Sequence, residues 1–212
     1  LNAGHFIIRA NGTSLDQDSY FQGLQAHTTL TPSRLDIFTS IYLFRNLPNI
    51  PDGGETFIFD YSIFNIGTTY ALLPQQPLYL ELDYYYNFED YETNSNIEPE
   101  FKDQKHGFIA GIGYGKPSNK GDWKFKATYT YLERYAAVDF LAQNDWARWD
   151  YSAFDSPDGR LTNMQGVELV ASYLLAKNMK LTLKYYKVEQ LIPYGVTKEN
   201  GDRIRLDLDI KI

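Results

Sequence analysis

The sequence predicts an all-β chain, an antiparallel transmembrane β-barrel with about ten strands in 212 residues, each near the roughly 9–11 residues that cross a bilayer at barrel tilt. Three observations predict it. Side chains alternate apolar and polar with a period of two. The connections alternate short and long. Aromatic residues gather at both ends of the outward faces.

The expected strands cover 3–10, 20–31, 34–44, 56–71, 77–89, 106–116, 122–136, 164–176, 179–190 and 202–212. A strand sends successive side chains to opposite faces, so strict alternation means one apolar and one polar face. The 57–70 stretch is richer in apolar residues and its facing is ambiguous. In the next stretch Leu78, Leu80, Leu82, Tyr84, Tyr86 and Phe88 oppose Tyr79, Glu81, Asp83, Tyr85, Asn87 and Glu89. Phe108, Ala110, Ile112 and Tyr114 oppose glycines. Trp123, Phe125, Ala127, Tyr129 and Tyr131 oppose Lys124, Lys126, Thr128 and Thr130. Val167, Leu169, Ala171 and Tyr173 oppose Glu168, Val170 and Ser172, and Leu181, Leu183 and Tyr185 oppose Lys180, Thr182 and Lys184. The C-terminal stretch alternates without a fault: Ile204, Leu206, Leu208, Ile210 and Ile212 against Arg203, Arg205, Asp207, Asp209 and Lys211.

Short turns are expected at 31–33, 74–76, 117–121 and 177–178, and longer connections at 11–19, 45–55, 90–105, 137–163 and 191–201. Counted back from the C-terminus, every long connection falls at one end and every turn at the other. A barrel with short periplasmic turns and long outer loops sorts its connections this way, and a soluble sandwich has no reason to. The outward Tyr114, Trp123 and Tyr173 lie near the turn ends; Tyr84, Tyr86, Tyr129, Tyr131 and Tyr185 lie toward the long loops. Amphipathic rings belong at lipid–water boundaries, although Tyr and Trp also favour strands in general.

Composition excludes several classes. The chain has no Cys, which removes disulfides and thiolate chemistry. Its net charge of -7 leaves no basic surplus for phosphates, so no nucleic acid is expected as a partner. No apolar run approaches the roughly 18 residues of a membrane helix, a test that is blind to barrels. The chain begins at Leu1 without Met and reads as a mature protein, a processed product or a fragment.

From Gly107 onward the sequence resembles a family of bacterial outer-membrane porins. The carriers are Gly-Tyr-Gly-Lys at 113–116, Lys-Gly-Asp-Trp-Lys-Phe at 120–125, Tyr-Thr-Tyr-Leu-Glu-Arg at 129–134, Asn144-Asp145, Gly166, 171–178 and the closing 202–212. Such chains usually end in Phe, where Ile212 stands here, and are usually longer. The chain therefore reads as the last part of a larger barrel or as a smaller closed one. The resemblance implies passive diffusion of small solutes, with no cofactor and no catalytic residues. It implies a Gram-negative outer-membrane location, with membrane lipid as the partner and a homo-oligomer or a protein inside the barrel as further candidates.

Inward charges are the candidate pore lining, because charges along a water channel set ion preference. They are Glu81, Asp83, Glu89, Lys124, Lys126, Glu168, Lys180, Lys184, Arg203, Arg205, Asp207, Asp209 and Lys211. The competing reading is a set of paired side chains that fill a narrow lumen. The loop 137–163 carries Asp139, Phe140, Asp145, Trp146, Trp149, Asp150, Tyr151, Phe154, Asp155 and Asp158. Folded inward, it would constrict the pore through Asp145, Trp146, Trp149 and Asp150; folded outward, it would cover the rim. Asp155-Ser-Pro-Asp-Gly reads as a turn. His5, His27 and His106 have no metal-ligand spacing, so no metal is expected. Three rivals to a channel remain in the sequence: a barrel that sheathes a partner such as an electron-transfer conduit, a membrane-embedded hydrolase using the inward His27, and a soluble all-β binding domain.

Overall fold

Alternating β-branched and aromatic residues favour the extended backbone, and glycine- and proline-bearing breaks end each run. A computed structural model describes residues 1–9, 18–31, 34–48, 58–73, 76–149 and 160–211, with the side chains of 9, 48 and 58 left aside. The expected turns at 32–33 and 74–75, most of loops 11–19 and 45–55, Asp150, Tyr151, Phe154, Asp155, Asp158 and Ile212 lie outside the described residues.

Ten strands are described: β1 (Asn2–Arg9), β2 (Ser19–Leu30), β3 (Leu35–Pro48), β4 (Ile58–Ala71), β5 (Leu78–Asn87), β6 (His106–Tyr114), β7 (Trp123–Leu132), β8 (Met164–Ala176), β9 (Met179–Gln190) and β10 (Asn200–Ile210). They form one antiparallel sheet in sequence order, each strand paired with its neighbours in the chain. Such a meander needs only hairpin connections, and the short and long ones fall at opposite ends as expected. The helical pieces described are single 3-10 turns at Pro99–Phe101 and Asp139–Leu141. None of the described helices is long and apolar enough to cross a membrane.

Among the described residues β1 and β10 pair only with β2 and β9, so the sheet is open with these two strands at its edges. An all-β meander of this kind is consistent with a barrel-type porin fold. Two strand ends differ from expectation by more than two residues. β3 runs on to Pro48 through a bulge between Phe44 and Leu47, where Asn46 takes a left-handed φ of 56°. β7 stops at Leu132 rather than 136, because Tyr135 and Ala136 turn into a buried cluster, at 5% and 0% exposure.

Register assigns the faces. Leu78, Tyr114, Phe125, Ala171, Leu183 and Leu206 stand in one row across β5–β10. Most of this row is exposed, and with Ile112, Leu169, Leu208 and Ile210 it makes the outer face apolar. On the inner face Lys124, Ser172, Thr182 and Asp207 form one row, and Lys126, Val170, Lys184 and Arg205 the next. The ambiguous 57–70 segment resolves the same way. Phe59, Tyr61, Ile63 and Asn65 are buried on the inner face, and Phe64 and Ile66 face out.

The outer aromatics form the two expected bands. Trp123 stacks on Phe125 at 5.6 Å and meets Tyr173 at 4.7 Å near the turns. Toward the long loops the phenols find polar partners: Tyr84 with His106 at 2.8 Å, Tyr129 with Gln165 at 3.0 Å and Tyr185 with Asp202 at 3.1 Å. An apolar ring with a satisfied hydroxyl suits a boundary between lipid and water.

Gly115 starts the β6–β7 turn at φ +99°, where a Cβ would lie 2.2 Å from the Trp123 carbonyl oxygen. Both the backbone region and the space exclude a side chain. Gly115→Ala is therefore expected to cost at least about 1–3 kcal/mol, from strain plus clash. Urea unfolding of the refolded protein reads this directly, and an unchanged midpoint would contradict it.

Candidate functional site: the charged inner wall and the inserted loops

The wall is built by parity. Every second residue of β5 and β7–β10 turns inward, and many of these are charged. β6 contributes glycines instead, and these let side chains two strands apart meet. Glu81 of β5 pairs with Lys126 of β7 across β6. A Cβ on Gly111 would touch both, at 3.3 and 3.4 Å. Likewise Tyr79 lies over Gly113, and the Lys124 ammonium stands 6.0 Å from the Tyr79 ring centre. One strand pair earlier, Phe38 and Asp83 both lie over Gly67.

The other expected wall residues pair along β9 and β10. Lys180 meets Asp209 at 3.0 Å and Lys184 meets Asp207 at 3.9 Å. Arg205 donates Nε to Asp207 at 2.8 Å. Glu168 stands between Thr128 and Tyr186 in the register. Lys211 follows the end of β10, where its carbonyl accepts from Asn178. Glu89 departs from the expected row. It lies past the end of β5, and its carboxylate takes Arg45 and Ser62, whose neighbours Tyr61 and Ile63 hold the inner face. These pairs are mostly a quarter to a half exposed, so each contributes no more than about 1 kcal/mol to stability. Their larger consequence is the potential along the wall.

The described parts of the loops after β5 and β7 fold against the inner face at one end. Asp145 is 5% exposed, and Arg205 Nη1 reaches its two oxygens at 2.8 and 2.7 Å. Arg203 adds a bond to the Asn144 carbonyl at 2.8 Å and an ion pair to Asp145 at 3.4 Å. Burial works against the Asp145 charge, yet hydrogen bonding to Arg205 and the charges of Arg205, Arg203 and Lys184 outweigh it. The carboxyl is held below its usual range. Trp146 stands edge-on to Tyr186 at 5.4 Å, and Trp149 packs with Leu132, Met164 and Val188. The fourth expected constriction residue, Asp150, lies outside the described residues.

A second feature was missed in the sequence. Asp139 Oδ1 accepts from the Leu161 and Thr162 amides at 2.9 and 3.0 Å and from the Thr162 hydroxyl at 2.8 Å. It also pairs with the buried Arg134 at 3.1 Å. Around this hub Phe59, Tyr61, Tyr91 and Tyr135 form a ring cluster with centroids 4.8 to 6.5 Å apart. Burial pushes the Tyr194 phenol up to about 12 and raises Tyr91 and Tyr135 as well. Asn87, fully buried, donates to the Tyr91 hydroxyl and the Tyr135 carbonyl, each at 2.9 Å. The signal available in the sequence was the Glu133-Arg134 pair set directly before the apolar 135–138 stretch. Nothing in the spacing joined it to Asp139 or Asn87.

His27 lies on the inner face, 3.6 Å from Asp36, whose carboxylate also takes the Thr29 hydroxyl. His5 meets Gln22 at 3.0 Å and stacks on Tyr20. Among the described residues no group of three or more His, Asp or Glu could hold a metal ion.

Comparison with known proteins fits this geometry. A search of curated proteins finds no match to the chain. A family model described as Putative porin matches residues 57–211, from just before β4 through β10 and beyond the Gly107 boundary read in the sequence. The matched stretch holds the charged wall and both inserted loops. The match covers most of the chain, which therefore belongs to the Putative porin family.

Proposed function

We propose that this chain forms a channel in the bacterial outer membrane for passive diffusion of small hydrophilic solutes or ions. The observation that carries the reading is the segregation of faces. One side of the meander is an apolar surface with aromatic bands, and the other bears paired charges with little to bury them near the turns. Lipid on one side and water on the other account for both. Membership of a porin family supports the same reading. The edges of β1 and β10 expose unpaired backbone groups, which lipid cannot satisfy, so strand pairing covers them in the membrane.

The buried loop cluster at the long-loop end favours a narrow passage over a wide one. Planar-bilayer recording on the purified, refolded protein tests the proposal. Stepwise ionic currents are expected, and a preparation that folds but never conducts would refute the channel.

A further inference from the structure

The inner wall is unevenly charged. Over β7–β10 a groove of about 550 Å³ is lined by Lys124, Lys126, Lys180, Lys184 and Arg205 against only Asp207 and Asp209. Asp207 is shared between Arg205 at 2.8 Å and Lys184 at 3.9 Å, and Asp209 is matched by Lys180. Lys126 turns away to Glu81. Among the described residues Lys124 has no carboxylate partner, and only the Tyr79 ring faces its ammonium. Between the cations lie Ser172 and Thr182, whose hydroxyls share a hydrogen bond at 3.2 Å, so one of them keeps a free proton to donate without adding charge. Glu168 stands one row nearer the long loops, beside Tyr186, and does not line the groove. The local surplus is positive although the whole chain carries -7.

We infer that this groove is a binding strip for small anions and gives the channel a preference for anionic solutes, an inference that rests on the channel reading above. Ammonium groups act as point charges toward phosphate and carboxylate, and a low-dielectric wall focuses their field. An anion at Lys124 would find a cation that no carboxylate of the described residues neutralises, with the one hydroxyl proton left free by the Ser172–Thr182 bond as a further donor.

Reversal potentials across a KCl gradient test this. The wild-type channel is expected to pass chloride over potassium. Lys124→Glu should lower that ratio by about twofold or more, and Lys124→Gln by less. Lys187→Glu changes net charge equally on the exposed outer face and should leave the ratio unmoved. Potassium preference in the wild type, or a Lys124→Glu ratio no different from wild type in protein that folds, overturns the inference. If the protein passes no current, the channel reading fails, and the anion site is judged by acylation of lysines in the reconstituted protein. Inorganic phosphate should then slow acylation of Lys124 and Lys184 relative to Lys187. Equal rates with and without phosphate overturn the site.

Discussion

Replacing Asp139 with alanine is expected to cost about 3–5 kcal/mol of stability, the usual consequence of removing one partner from a buried ion pair. The side chains of Arg134 and Asp139 are 6% and 13% exposed. Burial opposes the Arg134 charge, but Asp139 more than restores it and holds the guanidinium protonated. Without Asp139 that charge stays in the interior with the Thr162 hydroxyl and ring faces for company. Two backbone amides, of Leu161 and Thr162, lose their acceptor at the same time. Asp139→Asn keeps an acceptor oxygen and should lose less. Urea unfolding of the refolded protein, followed by tryptophan fluorescence, reads the difference. A loss below about 1 kcal/mol for Asp139→Ala would mean that the hub is solvated and does not anchor the loop.

The strands were legible because period two is a local property. Each inner row of β7–β10 is the alternation of the sequence laid side by side, and Ile204 to Ile210 needed no partner to be read. Facing was not legible at 57–70. There Tyr61 and Ile63 are buried by rings from distant loops, and Phe64 and Ile66 face out, so apolar residues are required on both sides. The β7 end was misplaced for the same reason. Tyr129, Tyr131 and Tyr135 look alike in sequence, but Tyr135 belongs to a cluster with Tyr61 and Tyr91.

The site was legible by residue and not by contact. Parity put Lys126 and Glu81 on the inner face, yet their pairing depends on the missing side chain at Gly111, which a strand-by-strand reading treats as a gap. Parity also put Glu89 inside. Its position past Asn87, where the strand ends, let the chain turn and deliver it to Arg45. The paired side chains of the competing reading include Lys180 with Asp209 and Lys184 with Asp207. What no spacing could give is Asp145 on Arg205, a contact spanning 60 residues.

That contact leads to the second large effect, on conduction. Asp145 fastens the 133–149 loop to β10 through both guanidiniums, and Trp146 and Trp149 seat it on the wall. Asp145→Asn removes the charge but not the shape. Arg203 and Arg205, each nearly half exposed, regain water, so the stability cost is small, at most about 1 kcal/mol. The position of the loop should change more than the stability of the fold. The expected result is a higher single-channel conductance with more frequent full openings. Acid should act in the same way. Because the folded carboxyl is held below its usual range, its contribution is complete above the ordinary aspartate value of about 4. It is lost as pH falls through the lowered value, while both arginines stay charged. Conductance attributable to this loop should therefore be flat from neutral pH to about 5 and rise below about 4. In Asp145→Asn that acid-induced rise should be largely gone. A wild-type channel whose conductance falls on acidification, or an Asp145→Asn channel with the wild-type acid response, would place the constriction elsewhere. Trp149→Ala separates loop position from charge. It should loosen the loop with Asp145 intact, raising conductance at neutral pH and leaving the acid-induced step in place.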